Sequence, residues 1–181
     1  MAAPRSGVLA SDPLPGARVL IVDARFYDDI ADELLKGAKA AVAAAEAECT
    51  IVTVPGALEI PSTIAILIEA ASAHGKPYDA AVALGCVIRG ETTHYDTVCN
   101  DSSRALTMLG LQGLCIGNGI LTVENHEQAA VRAEAKGQNK GGGAAAAALH
   151  LIALSRKWGR ASKGVGFTGE ILLAREGQTN A

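Results

Sequence analysis

The chain has 181 residues, 49% of them apolar but only 3% aromatic, and a formal net charge of −3. That length suits one domain with a buried core, and the mild acidity offers no basic field for nucleic acid or an anionic membrane. No apolar run reaches the ~20 residues of a helical membrane span, so none is expected.

Residues 1–16 carry Pro, Ser, Gly and Asp where a signal peptide needs an apolar stretch, and are expected as a disordered lead. Arg18 to Ala24 is a short apolar run of strand type, and apolar residues then recur with helical spacing from Asp28 to Glu48. Thr50 to Val54 is β-branched and ends at Pro55-Gly56, and Pro61 falls where a first helical turn tolerates it. Asp79 to Cys86 predicts a third strand, Thr93 to Leu109 a helix, and Leu114 to Leu121 a fourth strand. Helices near Asn125 to Lys136 and Gly142 to Trp158 close the domain at residue 159. Beyond it, residues 160–181 form a tail without assigned role, with Glu170 to Ala174 as a stray strand.

This alternation predicts an α/β fold, a parallel sheet covered by helices on both faces. The glycine-rich stretch at Gly141 reads as a hinge into a tightly packed helix, since the P-loop pattern is absent. Gly117-Asn118-Gly119 lacks the third glycine and acidic partner of a dinucleotide fingerprint. The cysteines, Cys49, Cys86, Cys99 and Cys115, form no C-x-x-C pair. Free thiols in a reducing cytoplasm are therefore expected, and no metal site. The basic cluster at Arg156, Lys157, Arg160 and Lys163 reads as a solvated helix terminus.

In open parallel sheets ligands bind beyond the carboxyl ends of the strands. Four loops qualify: Asp23 to Tyr27, Gly56 to Glu59, Val87 to His94, and Asn118 to Asn125. The third is the richest. Thr93 with Asp96 fits a capping pair, so a helix starts there and its first amides form an anion site, aided by Thr92. His94 sits on that first turn, where the helix dipole favours neutral imidazole and proton transfer; a surface histidine without duty fits the same spacing. His74, His126 and His150 read as structural or solvated. Arg132 is a candidate fork for a phosphate, or a solvated helical charge. Lys140, before three glycines, has room to approach a ligand, and Phe26 either stacks on a planar ring or packs in the core.

GALEIP (Gly56 to Pro61), VIRGETTHYDTVCN (Val87 to Asn100), NGILTVEN (Asn118 to Asn125) and RAEAKGQNKGG (Arg132 to Gly142) together resemble the lumazine synthase family, in order and with family-like spacing from about Ala17 to Gly159. The resemblance implies a three-layer α/β/α sandwich with a four-stranded parallel sheet, flavodoxin-like and homo-oligomeric. It implies a cofactor-free, metal-free transferase of riboflavin biosynthesis. Such an enzyme condenses 5-amino-6-(D-ribitylamino)uracil with 3,4-dihydroxy-2-butanone 4-phosphate to 6,7-dimethyl-8-ribityllumazine, releasing phosphate and water. His94 matches the family's proton donor and Phe26 the aromatic that stacks on the substrate ring. Ala57, Leu58 and Glu59 match ribityl and ring contacts, and Cys86, Val87 and Ile88 a backbone wall beside the pyrimidine. Glu91 and Thr92 match the phosphate-side turn, Arg132 the phosphate arginine, and Lys140 a polar substrate contact.

Two residues depart from the pattern: Leu58 stands where many members have phenylalanine, and Asn118 where many have an aromatic or apolar residue near the ring. Family members assemble as pentamers with sites between neighbouring subunits, some as decamers or icosahedral 60-mers, and riboflavin synthase is an implied partner. Glu134 to Asn139 replaces the turn usual in shell-forming members, which favours a pentamer or decamer. The competing class is a non-catalytic flavin- or lumazine-binding or shell-forming paralogue.

Overall fold

The computed structural model describes residues 13–159. Four strands and five helices alternate: β1 (Arg18–Ala24), α1 (Asp28–Ala44), β2 (Glu48–Val54), α2 (Glu59–Ala73), β3 (Ala80–Ile88), α3 (His94–Leu111), β4 (Cys115–Val123), α4 (His126–Ala133) and α5 (Lys140–Trp158). The strands form one sheet in the order β2-β1-β3-β4, and every pairing is parallel.

Side chains alternate across a strand, so each strand feeds two cores. Val19, Ile21, Val82, Leu84 and Leu121 pack with Leu34, Ala38, Ala145 and Leu149 of α1 and α5. Leu20, Val22, Ala81 and Ala83 pack with Ile60 and Ile64 of α2 and Leu106 of α3. Helices thus cover both faces, and the expected three-layer sandwich is the fold. The Gly117 and Gly119 pair serves this packing: a Cβ on Gly117 would lie 2.1 Å from the Ala144 carbonyl oxygen.

Several element limits differ from the sequence reading. α1 stops at Ala44 rather than Glu48, because Glu46 takes a left-handed φ of 55° and releases β2 from Glu48 onward. α4 ends at Ala133, where the backbone of Glu134 leaves helical geometry (ψ 112°) and Glu33 accepts a hydrogen bond from the Ala135 amide. α5 begins two residues earlier than expected because Asn139, at φ 48°, caps it by accepting from the Gly142 amide. Leu14, assigned to a disordered lead, is only 5% exposed, and its amide donates to the Ala45 carbonyl. The stray strand at Glu170 to Ala174, the rest of the tail and residues 1–12 lie outside the described residues.

Among the described residues, one charged group is fully buried. Asp23, in β1, has no solvent exposure, and its carboxylate pairs with Arg25 at 3.1 Å, while Oδ1 has no hydrogen-bond partner among the described residues. Burial pushes its carboxyl above the ordinary value, against the lowering influence of Arg25. A folded pKa above the unfolded one means that the group contributes most below the unfolded value and less as pH climbs through the folded one. In Asp23→Asn that decline is absent. The melting-temperature difference, variant minus wild type, should therefore grow from about pH 4 to about pH 7, the range above the ordinary carboxylate pKa. A constant difference across that range would contradict the assignment.

Candidate active site

Three of the four strand-end loops converge on one cavity of about 320 Å³. The β1–α1 loop supplies Phe26 and Tyr27, and the β2–α2 loop supplies Gly56, Ala57, Leu58 and Glu59. The end of β3 and the turn after it supply Cys86, Val87, Ile88, Gly90 and Thr92, and the first turns of α3 supply His94, Tyr95 and Val98. Nine of the sequence-derived candidates thus meet here: Phe26, Ala57, Leu58, Glu59, Cys86, Val87, Ile88, Thr92 and His94.

The reason is topological. β1 and β3 are adjacent and parallel, so their carboxyl ends open on the same edge, with β2 beside them. Phe26 lies two residues past the end of β1 and projects its ring outward, 70% exposed, with its edge against Tyr27 (centroids 5.0 Å, interplanar angle 67°). Such a ring is free to stack on a planar ligand. Cys86 lies at the cavity floor, where burial, and secondarily the Asp29 charge, pushes its thiol up to about 11. It is therefore a neutral wall group at physiological pH.

His94 is the first residue of α3 and is exposed, with Thr92 and Gly90 just before it. The first amides of a helix lack intrahelical partners and point outward, so an anion beyond this turn would meet N–H donors. The expected capping pair does not form. Thr93 already has helical geometry (φ −68°, ψ −3°) and makes no side-chain cap bond. The Asp96 carboxylate turns instead towards Arg89, 3.5 Å away. A cap residue needs extended backbone, and the helical geometry of Thr93 denies its side chain that placement.

Four candidates stand apart from the cavity lining. Glu91 belongs to the same turn but does not line the cavity. Asn118 lies in the middle of β4, opposite Ala83, with its Oδ1 accepting from the Ile120 amide. It borders a separate groove of about 510 Å³ with Leu106, Leu111, Leu151 and Leu154. Its placement in a strand-end loop is corrected: β4 runs on to Val123. Arg132, on α4, donates to the Gln128 carbonyl at 3.0 Å, and Lys140 opens α5. Among the described residues, those lining the cavity include no lysine or arginine.

The sequence reading missed Tyr95 and Val98. For Val98 the spacing from His94 was a usable signal, since residues i and i+4 share a helix face; Tyr95, the next residue along, carries no such signal. The same reading gave Arg89, at the head of this stretch, no role of its own. That guanidinium lies 4.0 Å from the Tyr95 ring centroid and donates to Glu124 at 2.9 Å, tying the turn to the β4–α4 connection. Among the described residues no cluster of His, Cys, Asp or Glu could hold a metal ion, and no helix is long and apolar enough to cross a membrane.

Comparison with known proteins agrees with this geometry. The family model for 6,7-dimethyl-8-ribityllumazine synthase matches residues 16–156. A protein of that name from Methylorubrum populi is 64% identical over 146 residues, covering 80% of this chain and 86% of its own. Those from a Methylobacterium species and Rhodopseudomonas palustris are 58% and 54% identical, covering 86% and 87% of this chain and 87% and 98% of theirs. With that match spanning most of its length, the chain belongs to the 6,7-dimethyl-8-ribityllumazine synthase family.

Proposed function

We propose that the protein condenses 5-amino-6-(D-ribitylamino)uracil with 3,4-dihydroxy-2-butanone 4-phosphate to give 6,7-dimethyl-8-ribityllumazine, the riboflavin-pathway step its relatives are named for. The observation that carries this reading is the single cavity joining an exposed aromatic, Phe26, to a histidine, His94, at a helix start. The uracil ring stacks on Phe26 beside the backbone of Cys86, Val87 and Ile88. Ala57, Leu58 and Glu59 hold the ribityl chain, with the Glu59 carboxylate accepting from its hydroxyls. Leu58 in place of an aromatic alters ligand affinity and leaves the chemistry intact.

The amine attacks the ketone and water leaves as the imine forms. Phosphate departs by elimination, and the ribitylamine nitrogen closes the ring with loss of a second water. His94 moves the protons these steps require, and holding two reactants side by side supplies much of the rate without any cofactor. The phosphate rests on the α3 N-terminus with Glu91 and Thr92 at the turn.

An anion of that charge calls for a cation, and the cavity of one chain brings none. The missing Arg132, together with Lys140 and Asn118, is supplied by a neighbouring copy in a ring, a pentamer or a pair of pentamers in the cytoplasm. The domain so assembled is residues 17–159, with Leu14 of the lead packed into its core.

Following lumazine absorbance after mixing the two substrates tests the activity; product no faster than the uncatalysed background would sink it. Shared sites have their own test. His94→Ala and Arg132→Ala chains, each strongly impaired alone, are refolded as a mixture. Random assembly around a cyclic ring places both intact residues at ~25% of sites, so about a quarter of wild-type turnover should return. No recovery would mean that each chain builds its own complete site.

A further inference from the structure

We propose that Glu124, in the β4–α4 connection, and His126, the first residue of α4, both outside the cavity, are positioning residues for the condensation, each orienting one wall of the pocket. The inference rests on the functional reading above and assigns it further residues.

The two walls reach this short segment by separate routes. On the His94 side, the Arg89 guanidinium donates to both oxygens of Glu124, at 2.9 and 3.3 Å. The same guanidinium lies 4.0 Å from the Tyr95 ring centroid and 3.5 Å from the Asp96 carboxylate. Tyr95 and Asp96 directly follow His94, so Glu124 fixes the arginine that fixes the first turn of α3. On the Phe26 side, the His126 ring nitrogen Nε2 lies 2.8 Å from the Asp29 carboxylate in α1. The His126 ring also meets Tyr27 edge-on (centroids 6.4 Å, interplanar angle 77°), and Tyr27 in turn backs Phe26. Phe26 is too exposed for core packing to hold it, so its orientation depends on this chain of contacts.

The segment that receives both routes is itself anchored. The Arg89 amide donates to the Val123 carbonyl at 2.9 Å, the Glu124 amide to the Gln128 side chain at 3.1 Å, and the Gln128 amide to Asn125 Oδ1 at 2.9 Å. Neither Glu124 nor His126 lines the cavity. Half-exposed ion pairs of this kind add little to folding stability, so their loss should be read in geometry rather than in unfolding.

Steady-state kinetics on the assembled enzyme separates the two arms. Glu124→Ala is expected to lower kcat about tenfold with the KM for the aminouracil within about twofold of wild type, because small misplacements of a proton-transfer group cost rate. Glu124→Gln, which keeps an oxygen for Arg89, should recover part of that loss. His126→Ala is expected to raise the aminouracil KM, and to weaken binding of 6,7-dimethyl-8-ribityllumazine by fluorescence, each about fivefold, with kcat within about twofold. His126→Gln should recover part of both. Wild-type kcat and KM in the two alanine variants would overturn the proposal. So would rate losses that follow the fraction of unfolded protein, with KM unchanged and no recovery in the glutamine variants. An inactive wild type would defeat the functional reading instead; the lumazine titration, which needs no turnover, would still decide the His126 arm.

Discussion

Replacing His94 by alanine is expected to lower kcat for lumazine formation about 100-fold, the lower end of what a positioned acid–base group contributes. The lower end follows from the rest of the site. Two reactants held against Phe26 and the α3 N-terminus keep most of the advantage of juxtaposition when the imidazole is gone, and water can move protons slowly in its place. Assembly and melting temperature should stay unchanged, because His94 is exposed at the helix start and belongs to neither core cluster. His94→Gln separates hydrogen bonding from proton transfer: a glutamine that restores the rate would make His94 a mere contact. Turnover is measured by lumazine absorbance with the uncatalysed rate subtracted. Wild-type kcat in His94→Ala would remove the residue from the mechanism.

Much of this site was legible because it depends on strand ends, which short apolar runs mark well. β1 and its exit at Phe26 followed from the run Arg18 to Ala24, and the turn before His94 followed from the end of β3. Where the reading failed, the deciding information lay elsewhere in space. Thr93 and Asp96 have the spacing of a capping pair, yet Thr93 is itself helical and the Asp96 carboxylate lies 3.5 Å from Arg89. Asn118 fell both within the expected strand and at the start of the candidate loop Asn118 to Asn125, because nothing in its neighbours shows that pairing with β3 continues through Val123. His126 read as structural or solvated, and which of the two it is could not be told because its partner, Asp29, is far along the chain. Arg132 and Lys140 are apart from the cavity of their own chain, so no local pattern could bring them to it.

The glycines in the first turn of α5 offer the second large effect, and it runs against simple propensity. Gly141→Ala should be strongly destabilising, although alanine favours a helix over glycine by about 1 kcal/mol. A Cβ at Gly141 would lie 2.0 Å from the carbonyl oxygen of Leu34, and Gly37 of α1 meets Asn139 as closely. The obstacle is backbone, so no rotamer change relieves it; α5 would have to lift from α1, opening a contact lined by Leu34, Ala38 and Leu149. Overpacking of that kind costs about 3 kcal/mol, which outweighs the propensity gain and leaves a net loss near 2 kcal/mol. In a domain of this size that corresponds to a melting temperature lower by about 4–8 °C. Gly143 supplies the opposite case two residues on, since a Cβ there meets nothing within 4 Å. Gly143→Ala should therefore raise the melting temperature by about 2 °C, the propensity term acting alone. The pair decides between two descriptions of this stretch. A flexible hinge would respond to both substitutions alike, by stiffening. A helix seated backbone-to-backbone on its neighbour responds with opposite signs, and equal shifts in the two variants would return the stretch to a hinge.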